Sequence, residues 1–304
     1  MRTILVYAQL VRLPNTFTSL ADIFLGAVAT GLLLSHWHVL LCLLAASTLL
    51  YWSGMVWNDY FDLDQDRLER PGRPIASGRI TLRVAFALGF ALMLGGLAFA
   101  GLADFLVEAQ RLRSLPIAAF LVVAIFLYDG VAKATWAGPV LMGGCRLLNV
   151  LLGLSIANVM PPFWGWLLAI IVGTYTAGVT WFARTEARLS SQSMLIAAAI
   201  VMLAALSLAL TIPALALLET SRYAEPSWLF PYLLAGFGAY LGVAVLRAIR
   251  RPDPVRVQPV IKRAIFGLIV LDALMASAFA GSLGLLLVVL VIPGMILGRW
   301  LYST

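Results

Sequence analysis

Residues 38–74 read HVLLCLLAASTLLYWSGMVWNDYFDLDQDRLERPGRP. Positions 38–57 hold no Asp, Glu, Lys or Arg. Twenty helical residues rising about 1.5 Å each reach across a hydrocarbon core of about 30 Å. The same run then turns polar, with Asp59, Asp62, Asp64, Asp66 and Glu69 interleaved with Arg67, Arg70 and Arg73. A membrane-length helix that ends in a knot of carboxylates and arginines settles the fold class and marks where chemistry belongs.

The rest of the chain agrees. Hydrophobic residues fill 62% of 304 positions and charged residues 12%, and mean hydropathy is +0.98. A soluble domain is about half apolar and about a quarter charged, so lipid must solvate most of this surface. The net charge of +7 would suggest nucleic acid in a soluble chain. In a membrane protein, basic residues collect in cytoplasmic loops, and nucleic acid is not an expected partner.

Apolar segments of spanning length, or close to it, fall at about 17–34, 38–57, 80–102, 115–130, 137–158, 163–183, 192–216, 228–249, 262–280 and 283–300. Backbone polar groups in lipid must pair within their own segment, so these runs are helices. The expected architecture is an all-α integral membrane protein of nine or ten transmembrane helices, the last two alternatively one bent hairpin. Residues 3–13 read as a short amphipathic interfacial helix ending at Pro14. The many later spans argue against a cleaved signal peptide. No soluble domain or long linker interrupts the run, so residues 1–304 are expected to form one transmembrane domain.

Placing the N-terminus in the cytoplasm puts seventeen of the 21 Lys and Arg inside and three outside, with Arg146 within a span. That asymmetry is the positive-inside signature. It implies an inner-membrane protein, read as bacterial, with the carboxylates toward the cytoplasm.

If the second span continues through residues 58–66, its advance of about 100° per residue gathers Asp59, Asp62 and Asp66 within roughly 60°. Asn58 flanks that face. Asp64 points about 140° from Asp59 and is not expected to ligate. Three like charges on one face call for a cation between them. Oxygen-only ligands select a hard divalent ion, and magnesium takes one or two carboxylates together with substrate phosphates. Arg67, Arg70 and Arg73 come next in the chain and could grip phosphate. The alternative is a solvated acidic helix end.

Asn58-Asp59-x-x-Asp62-x-x-x-Asp66 resembles the first aspartate-rich motif of the UbiA superfamily of intramembrane prenyltransferases. Arg70-Pro-Gly-Arg-Pro-Ile-Ala-Ser-Gly-Arg79 is similar to the segment immediately after that motif in the family. The resemblance covers most of the chain by helix pattern. It implies a ring of helices around a central lipid-accessible cavity, with Mg2+ on Asp59, Asp62 and Asp66 as metal ligands and catalytic carboxylates. The implied partners are a polyprenyl diphosphate donor and a lipophilic acceptor. Arg12 and Asn15 look like the family's basic and polar pair near the diphosphate, with interfacial anchoring as the alternative. Tyr128 and Lys133 resemble its Tyr-x-x-x-Lys element, one residue longer here. Lys133 either neutralises diphosphate or snorkels to the interface. Asn58, Arg67 and Arg73 complete the expected donor contacts.

The chain departs from that pattern after the sixth span, where Trp181-Phe-Ala-Arg184-Thr-Glu186-Ala-Arg188 stands in place of a second aspartate-rich motif. Glu186 is its single carboxylate. Arg184 and Arg188, one turn apart, could supply by charge what a second metal would; the other reading is lost or changed transferase activity. Arg146 and Asn149 lie one turn apart in the fifth span. An arginine there costs about 2.5–3.5 kcal/mol facing lipid, so the pair either touches substrate or links helices. With the altered second motif, this element resembles the EboC-like branch of the superfamily. Asp22 and Asp272 are expected to pair with neighbouring helices. Cys42 and Cys145 read as buried thiols, and His36 and His38 as interfacial residues beside Trp37.

The function this implies is magnesium-assisted prenyl transfer, an alkyl transfer other than methyl, onto an aromatic or other electron-rich lipophilic acceptor. The rival is a non-catalytic isoprenoid binder or lipid transporter of the same fold.

Overall fold

The computed structural model describes residues 2–107, 113–157, 159, 161–186, 189–217 and 224–301. Among them every regular element is helical. In chain order these are α1 (Arg2–Leu10), α2 (Thr16–Ala29), α3 (Trp37–Phe61), α4 (Leu63–Glu69), α5 (Leu82–Leu106), α6 (Ser114–Leu127), α7 (Gly138–Leu154) and α8 (Phe163–Ala183). They are followed by α9 (Gln192–Ala209), α10 (Ile212–Ala216), α11 (Phe230–Arg250), α12 (Pro254–Ala280) and α13 (Val291–Leu301).

Each of the ten apolar segments read from the sequence meets a helix or helix pair. Among the described residues, length and apolarity alone qualify seven helical stretches as membrane-crossing. The expected nine or ten is therefore not reached on length: α2 has 14 residues and α7 has 17. Pro254–Leu301 runs as one helical stretch. It bends at Gly281, whose φ of +57° an L side chain rarely adopts. That bend folds the 3-10 segment Gly281–Leu290 back onto α12.

The spanning helices pack in chain order, α2 on α3, α3 on α5, and so on through α11 on α12. The circuit closes where α12 meets α2, and α2 also crosses to α7. Outward residues such as Phe105, Phe163 and Leu203 stay exposed, as lipid contact requires. Inside, the association cannot rest on the hydrophobic effect alone, because lipid is as apolar as leucine; close backbone approach between small residues does that work. Where α2 crosses α7, a Cβ on Gly26 would lie 2.3 Å from the Gly153 carbonyl carbon, so only glycine fits.

The same α2–α7 seam holds the buried polar groups. Arg146 donates to Asp22 at 2.9 Å and also to Thr18. Asn149 donates to Asp22 at 2.7 Å and accepts from Ser47 at 2.7 Å, which ties α3 in as well. Arg146 and Asn149 thus link helices, the second of the two sequence readings. Asp22 has the partner expected of it on a neighbouring helix. Asp272 on α12 faces Asp22 on α2, within reach of a carboxyl–carboxyl hydrogen bond, and lies close enough to Arg146 to feel its charge.

Hydrogen bonds between loops show which of them share an end of the bundle. Arg12 reaches Asn58, Lys133 reaches Asp62, Arg184 reaches the Ala134 carbonyl, and Ser190 reaches the Pro252 carbonyl. At the other end, Asp104 accepts from the backbone of Arg113, Ser114 and Leu115. This up-and-down alternation is the one the charge count demanded.

Candidate active site

The acidic segment is nearly, but not wholly, one helix. α3 ends at Phe61, Asp62 sits at the joint with φ −84° and ψ 5°, and α4 begins at Leu63. Two backbone bonds, Asp62 N–H to the Asn58 carbonyl at 3.0 Å and Asp66 N–H to the Asp62 carbonyl at 2.8 Å, carry the four-residue ladder across. Asp59 and Asp66 therefore stay on one side while Asp64 points out, its side chain 96% exposed. Trp57, packed against Tyr60, Phe86 and Phe126 with centroids 5.1–5.5 Å apart, holds the end of α3 in place.

Arg73 lies between the two buried carboxylates. Its Nη1 donates to Asp59 Oδ1 at 3.2 Å and to Asp66 Oδ2 at 2.6 Å. Burial pushes the Asp66 carboxyl above the usual carboxylate range, and the Arg73 hydrogen bond and charge oppose the rise. Arg12 adds a second cation, donating to Asn58 Oδ1 at 2.9 Å and to Asp59 Oδ1 at 3.1 Å. To do so its backbone takes the left-handed conformation, φ 48° and ψ 52°, which costs a non-glycine residue about 1–3 kcal/mol and is held by its surroundings.

Asp62 is held elsewhere, by the ammonium of Lys133. Lys133 reaches it from a π-turn, Tyr128–Ala132, in which the Lys133 N–H bonds the Tyr128 carbonyl at 2.9 Å. A π-turn accommodates one more residue than an α-turn, so it absorbs the residue by which Tyr128 and Lys133 exceed the family spacing. Tyr128 is buried and close enough to feel the charges of Asp129, Arg12 and Asp62. Asp129, which the sequence reading did not single out, accepts from Asn58 Nδ2 at 2.8 Å. Its signal was its place between Tyr128 and Lys133.

Other expected residues are not brought in. Arg67, about 100° past Asp66 on α4, turns outward and pairs with Asp64 at 3.3 Å. Asn15 caps α2 by position only, with no side-chain cap bond. Arg184 bonds the Ala134 carbonyl at 2.9 Å and lies over the Trp136 ring at 5.5 Å, while Glu186 pairs with Arg70 at 2.9 Å. Arg188 lies outside the described residues. Arg184 and Glu186 are thus occupied with protein partners.

Among the described residues, no three Asp, Glu, His or Cys side chains gather closely enough to hold a metal by themselves. The expected convergence of three carboxylates becomes two, Asp59 and Asp66, which meet on one cationic nitrogen, with Asp62 set apart by Lys133. Two carboxylates suffice for magnesium, which keeps waters and substrate phosphates in its shell. The all-oxygen pair fits that ion.

Digeranylgeranylglyceryl phosphate synthase from Methanothrix thermoacetophila is 32% identical over 144 residues, covering 41% of this chain and 54% of that protein. The enzyme of that name from Saccharolobus solfataricus is 32% identical over 176 residues, covering 56% and 57%. The chain spans about half the length of the curated relatives it matches. These relatives are archaeal, so the reading of a bacterial inner membrane has no support. A solved structure bearing on digeranylgeranylglyceryl phosphate synthase in membranes superposes with a TM-score of 0.64 at 20% identity, covering 92% of this chain and 99% of that one. A UbiA homolog from Archaeoglobus fulgidus bound to GPP and Mg2+ gives 0.59 at 15% identity, covering 93% and 99%. These likenesses show the fold. The model of the UbiA prenyltransferase family matches residues 19–266, and the chain, an integral multi-pass membrane protein, belongs to that family.

Proposed function

We propose that the chain is an intramembrane prenyltransferase that moves a polyprenyl group from its diphosphate to a lipophilic acceptor, assisted by magnesium. The observation that carries this reading is the shared cation: Asp59 and Asp66, both buried, converge on one nitrogen of Arg73 beside Arg12. Two buried carboxylates aimed at a single positive centre can exchange that centre for a divalent ion without rebuilding the backbone. Bound there, magnesium would neutralise the diphosphate and make it a better leaving group.

The chain's own groups do the rest. Arg73, released from its carboxylates, offers a fork suited to phosphate oxygens. Arg12 holds Asp59 in place, and Asn58, which accepts from Arg12 and donates to Asp129, fixes the orientation of the helix end. Lys133 supplies a further positive charge beside Asp62. Departure of diphosphate leaves an allylic cation that water would quench, so the prenyl chain belongs among the apolar helices, away from the wet end. The name of the matched relatives favours a glyceryl phosphate lipid as acceptor over an aromatic ring. The seventeen-to-three charge asymmetry supports a cytoplasmic position for the donor site.

A second reading, a non-catalytic isoprenoid binder, is favoured by one observation: Arg184 and Glu186 are engaged by Trp136, Ala134 and Arg70. Purified protein with radiolabelled geranylgeranyl diphosphate, magnesium and geranylgeranylglyceryl phosphate separates the two. Labelled lipid product that disappears in Asp66→Ala supports the transferase, whereas donor binding without any product supports the binder.

A further inference from the structure

Where α11 runs into α12, Arg247, Arg250, Arg251 and Arg256 line one recess of about 270 Å3. Like charges gather at a cost, so the partners that offset it matter. Arg247 and Arg250 occupy the last turn of α11, where the helix dipole favours cations. Arg256 has no such excuse: it stands in the first turn of α12, at the positive end of that dipole. Asp253 caps the turn, accepting from the Arg256 N–H at 3.0 Å, but its carboxylate is 3.9 Å from the Arg256 guanidinium. Among the described residues no carboxylate pairs with Arg247, Arg250 or Arg251. Four guanidiniums line the hollow, and among the described residues the carboxylate paired with any of them is Asp253, at 3.9 Å from Arg256.

We propose that this recess binds the phosphate of an anionic membrane lipid. Guanidinium forks match phosphate oxygens in pairs, and basic clusters next to a membrane helix attract anionic headgroups. The position favours a lipid over a free anion. The recess lies at the junction of two membrane-spanning helices; Leu246, one turn before Arg250 on α11, and Val255, next to Arg256 in the chain, are 56% and 82% exposed, apolar surface for glycerol and acyl chain. The recess adjoins the α8–α9 connection, through the bond from Ser190 N–H to the Pro252 carbonyl at 3.0 Å and that from Gln258 to the Glu186 carbonyl at 3.4 Å. It therefore shares an end of the bundle with Asp59 and Arg73 without containing any residue of that cluster.

The test uses the full chain in nanodiscs of phosphatidylcholine with or without phosphatidylglycerol, reading lipid retained by native mass spectrometry after release. Wild type should retain phosphatidylglycerol over phosphatidylcholine, and R250Q/R251Q, at exposed positions, should retain about tenfold less. A melting curve of the variant in phosphatidylcholine alone verifies its fold, and adding inorganic phosphate or diphosphate should leave lipid retention unchanged. Equal retention of phosphatidylglycerol by the variant would overturn the proposal, as would its displacement by millimolar diphosphate, the mark of a free-anion site. Because retention is read without turnover, the outcome does not depend on whether the chain is a transferase.

Discussion

The backbone N–H of Lys133 bonds the carbonyl of Tyr128, five residues back, at 2.9 Å. That single π-turn reconciles a spacing one residue too long with a lysine that still reaches the site. It also makes the extra residue dispensable. Deleting Gly130, exposed and with open space around it, should convert the turn to α geometry and leave prenyl transfer within about threefold. Lys133→Met, by contrast, removes the partner of Asp62 and should raise the KM for donor by about tenfold or more. Steady-state kinetics of both variants decide the matter. A deletion as damaging as Lys133→Met would mean that the turn does more than set register.

Arg73→Ala takes away the cation that Asp59 and Asp66 share. Breaking a buried ionic group by removing one side costs about 3–5 kcal/mol, and these two carboxylates are 4% and 6% exposed. The variant should melt well below wild type, and magnesium should restore more of that loss than it adds to wild type, because the ion takes the vacated role. Melting curves with and without magnesium read this directly. Equal magnesium shifts in both proteins would argue against a shared cation site.

Glu186→Gln tests whether the altered second motif carries a metal. Its ion pair with Arg70 is partly exposed, 44% and 30% on the two sides, and such pairs contribute about 0–1 kcal/mol. Stability should scarcely move, and prenyl transfer should stay within about threefold, since Gln keeps the hydrogen bond. A loss of about a hundredfold would make Glu186 a ligand rather than a strap.

The seam between α2 and α7 should respond as structure, not as substrate site. Asp22→Asn removes the carboxylate that Arg146 and Asn149 both bond and should destabilise by about 3–5 kcal/mol. Gly153→Ala places a Cβ 2.8 Å from the Ile23 Cα and should cost about 1–3 kcal/mol by overpacking. In both, donor affinity per folded molecule should match wild type. Thermal melts alongside binding titrations separate the two effects; a normal melt with lost donor binding would move Arg146 into the site.

How much the sequence disclosed depends on the range of the forces involved. The spans were legible because apolar runs in lipid have only one backbone solution. Asp59 and Asp66 were legible because their spacing survives the joint at Asp62, and Arg12 because it stands at the mouth of the first span. Arg67 follows the motif in the chain but stands about 100° from Asp66 around α4, which turns it to Asp64 and solvent. Asp129 went unremarked, since a lone carboxylate at a helix end looks like a solvated one until Asn58 is seen beside it. The capture of Arg184 by Trp136 depends on how α8 packs beside the loop before α7, which no local spacing encodes. Asp62 lies one turn from its neighbours by spacing, yet Lys133, from another helix, decides its partner.

In the proposed function, Asp59 and Asp66 hold a donor diphosphate through a magnesium ion they share. Calorimetric binding of geranylgeranyl thiolodiphosphate, which resists ionisation, tests it most directly in wild type and in Asp59→Asn/Asp66→Asn. Binding in wild type should depend on magnesium and weaken by about a hundredfold in the double variant. Undiminished binding in that variant, or in wild type with the metal chelated, would contradict it.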